Sequence, residues 1–175
     1  MNIKSLQSLA DFFLTVGNGE TYAALRGVVD DISNGVSLDQ VFKKIVAQAR
    51  IQARQGCDPF SRLKNWATIA ANTKDAADFA EAEALMSKIQ SPNQRAPAKK
   101  ILARAYAKAG RLGEARTRAH DIKSAYWRAE AYLEIYGVSK EAGDLVLAKD
   151  AADRIINPDA QDEVMAQIGA AKRNT

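Results

Sequence analysis

PNQRAPAKKILARAYAKAGRLGEARTRAHDIKS, residues 92–124, reads as two short helices around a glycine, and the same pattern recurs on both sides. Laid over residues 59–91 and 125–157, it matches residue type at a spacing of 33 with no gaps. Pro59, Pro92 and Pro158 stand at the joints, with Ala125 at the remaining one. Arg62, Arg95 and Arg128 open the first helix of each unit, and Ile69, Leu102 and Ile135 carry its apolar face. Phe79, Leu112 and Leu145 begin the second helix, Ala82, Ala115 and Ala148 follow three residues on, and Ile89, Ile122 and Ile155 close it. A fixed period of this length is the mark of a stacked repeat array, because one helix pair cannot bury its apolar face alone.

Working outward, residues 158–175 repeat only the first helix, with Val164, Met165 and Ile168 as its apolar positions, and end in a polar AAKRNT. Upstream, the composition changes. Of 33 alanines, 27 lie from Pro59 onward and 6 before it, which sets a boundary near Gly56–Pro59. Residues 1–58 are expected to form an N-terminal three-helix cap or bundle. Its helices are read over residues 2–16, from Thr21 to Asp31, and from Ser37 to Gln55, where Leu38, Val41, Phe42, Ile45, Val46 and Ala49 make a buried stripe. The 33-residue register is not expected to extend into this part, since the glycine position of the repeat would fall on Lys44. Within the repeats, Gly110 is read as the turn between the two helices, matched by Gly143 and by Ala77. The fold class that follows is all-α, a run of antiparallel helix pairs.

At these positions the unit resembles a tetratricopeptide repeat, over residues 59–175. The resemblance rests on Trp66 and Tyr132 early in the first helix, then Ile69, Leu102 and Ile135, the small Ala70 and Ala103, Tyr106, and the Gly110 and Gly143 loops. The apolar-then-alanine spacing of Phe79/Ala82, Leu112/Ala115 and Leu145/Ala148 completes it. It implies a right-handed α-solenoid whose first helices line a concave surface. The period is one residue shorter than the family's usual one, and Tyr136 fills the small-residue position of the third unit. A tyrosine there should push that pair apart or turn its ring into the groove.

Charge is distributed unevenly. The chain carries +4 overall, but the middle repeat holds nine basic and two acidic residues, and the third four and six. Lys100, Arg104 and Lys108 fall four apart, on one ridge of a helix, where like charges repel by a few tenths of a kcal/mol per pair. An anionic partner or a neighbouring acidic repeat would relieve that repulsion. The resemblance places Lys64, Lys74, Lys100, Arg104 and Lys108 in the groove, with Glu130, Glu134 and Glu141 further along it, and Tyr106 among the basic residues. Lys100 and Arg104 have the spacing of half of the family's carboxylate clamp; the other half is missing, since its positions hold Ala67 and Ala71.

No chemistry-bearing constellation accompanies this. His120 is the one histidine, and adjacent helical residues such as His120 and Asp121 do not face each other. Cys57 is the one cysteine, which rules out an internal disulfide, gives no metal-ligand spacing and suggests a reducing, cytoplasmic location. Gly17-Asn18-Gly19 lacks the strand and third glycine of a phosphate cradle. The expectation is therefore a non-enzymatic protein–protein interaction scaffold or adaptor without cofactor or metal. It would bind a peptide or helix of an acidic partner through Lys64, Lys74, Lys100, Arg104, Lys108 and Tyr106. The alternative is a nucleic-acid-binding helical repeat that uses the same basic repeat, with Tyr106 as its one interleaved aromatic. Self-association follows if the N-terminal helices or the terminal helix leave an apolar face open.

Overall fold

The computed structural model describes residues 31, 34–55 and 58–173. The helices expected over residues 2–16 and over residues 21–31, apart from Asp31, lie outside that set, as does Cys57. The described residues form eight α-helices and no strand. These are α1 (Leu38–Gln55), α2 (Pro59–Thr73), α3 (Ala76–Met86), α4 (Pro92–Lys108), α5 (Leu112–His120), α6 (Ala125–Ser139), α7 (Ala142–Ala152) and α8 (Pro158–Arg173).

Helix starts follow the local chemistry. Asp58 caps α2, its Oδ1 accepting from the backbone N–H groups of Phe60 and Ser61 at 2.9 and 3.0 Å, and Pro59 takes the first position, where no N–H is needed. Asp75 caps α3 and Ser124 caps α6 in the same way, and Asn157 Oδ1 accepts from Ala160 N–H at the start of α8. Pro97 sits inside α4, where it forgoes one backbone hydrogen bond.

Packing is strictly between neighbours. The pairs α2/α3, α4/α5 and α6/α7 each form a hairpin, and each first helix packs on the next: α2 on α4, α4 on α6, α6 on α8. Each second helix also touches the first helix that follows it. One apolar core runs through all of them. Its large members (Leu63, Trp66, Ile69, Phe79, Leu102, Ile135 and Val164) are interleaved with fully buried alanines such as Ala70, Ala82, Ala98, Ala115 and Ala148. Small residues at the crossings let helix backbones come close, which is why an alanine-rich sequence suits this arrangement. Tyr136 does not turn outward. It is 3% exposed, with Lys140 Nζ 5.4 Å from its ring centre, so burial of the ring outweighs the cost of accommodating it.

The turns differ from the sequence reading. Gly110 does form one, at φ +83°, in a Schellman arrangement: Arg111 N–H reaches Tyr106 C=O and Gly110 N–H reaches Ala107 C=O, both at 2.9 Å. Gly143 and Ala77, however, lie inside α7 and α3. The first and third hairpins turn instead at Lys74 and Lys140, which have φ of 60° and 59°. Their first helices stop two residues sooner than α4 does, because a hydroxyl there gives the chain another way to close. Thr73 Oγ1 accepts from Asp75 N–H and Ser139 Oγ from Glu141 N–H, at 3.2 and 3.1 Å.

The repeat register also reaches further back than expected, into α1. Val46, Ala49 and Ala53 are buried at the positions of Phe79, Ala82 and Met86 one period on. Glycine placement was a poor guide here, since the buried face and not the turn defines the register.

Candidate partner-binding face

Polar ties between helix pairs repeat with twice the apolar period. Arg50 on α1 donates from Nε to Asp78 Oδ1 and from Nη2 to Asp78 Oδ2, both at 2.8 Å, and reaches Asp75 with the same Nη2. Sixty-six residues on, Arg116 on α5 does the same to Asp144 at 2.7 and 2.9 Å, and to Glu141 at 2.6 Å. Each aspartate is buried and also accepts from a hydroxyl, Thr73 at 2.7 Å or Ser139 at 2.6 Å. Both arginines are held above their ordinary value, first by the hydrogen bond to the buried aspartate. Burial pushes the Asp144 carboxyl up, but the hydrogen bonds from Arg116 and Ser139, with the arginine's charge, outweigh it and leave the group below its ordinary value.

Between these two ties the same positions hold Glu83, Tyr106, Lys108 and Arg111, and the sign reverses. Glu83 on α3 accepts from Tyr106 Oη at 2.7 Å and from Arg118 of α5. Phe79 and Tyr106 stack at 4.2 Å with their planes 13° apart, and the Arg111 guanidinium lies 5.0 and 4.8 Å from the two ring centres. Tyr106 is 5% exposed. The groove aromatic expected from the sequence is thus an internal packing residue, its hydroxyl spent on Glu83. Burial, then Glu83, holds that phenol above its ordinary value.

The basic ridge of α4 meets the acids of α6. Lys100 Nζ lies 3.3 Å from Glu130 and 3.4 Å from Glu134, and 5.0 Å above the Trp127 ring; its side chain is 18% exposed. Tyr126 packs edge-on against Trp127 at 5.1 Å. Arg104 Nε is 3.6 Å from Glu134, with its side chain 53% exposed. The neighbouring acidic repeat therefore relieves the lysine–arginine repulsion within the molecule, and Lys100 is not an open anion contact. Glu130 Oε1 and Glu134 Oε2 are buried without a hydrogen bond, so this cluster is tight but incompletely satisfied. Further along the ridge Lys108 is exposed; shielding from water, then Arg104, holds its ammonium below its ordinary value. Lys64 is exposed on α2 and Lys74 at the turn after it.

Of the six residues expected to contact a partner, Lys64, Lys74, Arg104 and Lys108 are accessible, Lys100 is engaged internally, and Tyr106 is inside. Lys140 escaped the sequence reading. A signal was present: Thr73-Lys74-Asp75-Ala76-Ala77-Asp78 recurs as Ser139-Lys140-Glu141-Ala142-Gly143-Asp144, hydroxyl, lysine, acid and then aspartate at one spacing. His120 is exposed at the end of α5. Among the described residues no group of histidine, cysteine or acidic side chains could hold a metal ion, and no helix is long and apolar enough to cross a membrane. Comparison of the chain with protein-family models, with curated proteins and with solved structures gives no significant match.

Proposed function

We propose that this chain is a non-catalytic interaction scaffold of the tetratricopeptide-like class. In this reading it is a right-handed α-solenoid whose α2, α4, α6 and α8 line a concave face, and that face holds an acidic segment of a partner protein. The observation that carries the reading is the succession of first helices. Because α2, α4, α6 and α8 pack in order, their outer residues make one continuous surface. Its charge is graded, with Lys64, Arg104 and Lys108 on α2 and α4, and Glu130, Glu134 and Glu163 on α6 and α8. An acidic segment would contact the first part and be turned away by the second, which fixes its position. Lys100 sits at the boundary, paired with Glu130 and Glu134, while Arg104 shares Glu134 and keeps more than half of its side chain exposed. The half-buried Ile101, Tyr126, Trp127 and Leu133 supply apolar area beside the charges. The single cysteine supports a cytoplasmic setting for such a scaffold.

The test is selection of binders from a random peptide library on the immobilised protein, in parallel with the Lys64→Glu/Arg104→Glu variant. Enrichment of acidic sequences by the first and its loss in the second is expected. Enrichment of basic sequences, or no difference between the two proteins, overturns the reading. The basic repeat offers no exposed aromatic for stacking, since Tyr106 is buried, so binding of a labelled oligonucleotide at low and high salt is expected to be weak throughout.

A further inference from the structure

The three hairpin turns are closed by different backbone chemistry, yet each leaves a lysine on the same edge of the array. In the first and third hairpins that lysine is itself the turn residue: Lys74 and Lys140 occupy the left-handed region at φ 60° and 59°. A side chain there costs roughly 1 kcal/mol, and glycine or asparagine is the usual occupant. The positive charge recovers part of this from the carbonyl end of the preceding helix. That interaction does not need the left-handed position, as the middle hairpin demonstrates. There Gly110 takes the left-handed conformation, and Lys108 stands in the last turn of α4. What the three turns share is therefore the cation, not the residue that makes the bend.

These three lysines are exposed, and the acids beside them are already engaged. Asp75 is taken by Arg50, Glu141 by Arg116, and Glu134 by Lys100 and Arg104. We infer that Lys74, Lys108 and Lys140 form an anion rail along the turn edge of the array, which docks an extended acidic protein segment with a carboxylate at every third residue. The spacing selects that ligand. Packed helices stand about 8–10 Å apart, and one turn of polyproline II chain, three residues, rises about 9 Å and returns the side chain to the same face. Carboxylates three apart thus meet successive turns, and a seven-residue segment spans the rail. Consecutive carboxylates would crowd one lysine and leave the others empty. Nucleic acid fits less well, because no exposed aromatic stands among these lysines to stack a base.

The inference rests on the partner-binding reading above, and the test separates the two. The probe is a fluorescein-labelled heptapeptide with glutamate at its first, fourth and seventh positions and serine elsewhere. Its controls are the same composition with the three glutamates adjacent, and a seven-nucleotide oligothymidylate. The variant is Lys74→Gly/Lys108→Gln/Lys140→Gly, in which glycine keeps both left-handed turns, so helicity and melting temperature should match or exceed those of the parent protein. The parent protein is expected to bind the spaced peptide about tenfold more tightly than the adjacent one, and the variant to lose about tenfold for the spaced peptide, the sum of three exposed ion pairs. Equal binding of the two peptides, an unchanged affinity in the variant, or tighter binding of the oligonucleotide overturns the rail. If acidic library peptides are lost with Lys64→Glu/Arg104→Glu but retained by the rail variant, the partner-binding face stands and the rail falls.

Discussion

The outer hairpins and the middle one share a core pattern but join to their neighbours by opposite means. At α1–α3 and at α5–α7 an arginine comes forward to a buried aspartate, which a hydroxyl of the preceding turn also holds. At the middle junction the acid, Glu83, comes forward, it and Arg118 are each about one-third exposed, and an aromatic stack with a guanidinium beside it supplies the rest. Apolar packing sets a period of one hairpin; polar pairing sets a period of two. A repeat protein can thus keep one steric template while varying the chemistry that fastens each unit to the next.

Removing one member of the outer tie should break the contrast most strongly. Arg116→Ala leaves Asp144 charged and buried, a loss of about 3 kcal/mol, or roughly 6–12 °C in melting temperature for a chain of this size; Arg50→Ala should act alike through Asp78. A middle-junction variant, Glu83→Gln, is expected to cost about 1 kcal/mol, since its carboxylate is partly solvated and the Phe79–Tyr106 stack remains. Equal losses at the two kinds of junction, measured by chemical denaturation, would show that burial does not separate them. Gly110→Ala is expected to cost about 1 kcal/mol because of its positive φ, whereas Lys74→Gly should be neutral or slightly stabilising at the equivalent bend. The smallest effect is on pH dependence. Asp144 has a folded value below its ordinary 3.8. Its stabilisation is therefore complete above the unfolded value and is lost as pH falls through the folded one. The parent melting temperature should drop faster than that of Arg116→Ala over this acid range.

Much of the helix order could be read from the sequence, because proline, capping residues and alanine spacing act locally. The helices beginning at Pro59, Pro92 and Pro158 are cases in point. The turns could not be read from glycine, because Thr73 and Ser139 close their bends with a side-chain oxygen and leave lysine to take a conformation glycine would normally hold. The site was legible as charge but not as access. Nine basic residues in one repeat are visible in the sequence; that Glu130 and Glu134, thirty residues on, would absorb Lys100 depends on how two helices abut. Tyr106 misled for the same reason, since a tyrosine between lysines reads as exposed until Phe79 is found against it.

The alternation of sign has a consequence for assembly. Were the hairpins to slip by one unit, in misfolding or in exchange between two molecules, Arg50 would face Arg111 and Lys108 where it now finds Asp78 and Asp75. A slip by two units would give it Asp144 and Glu141 and cost nothing at that tie. Hairpin exchange between copies is thus steered toward even numbers of units, a parity rule written in charge on a fold whose apolar face is indifferent to it.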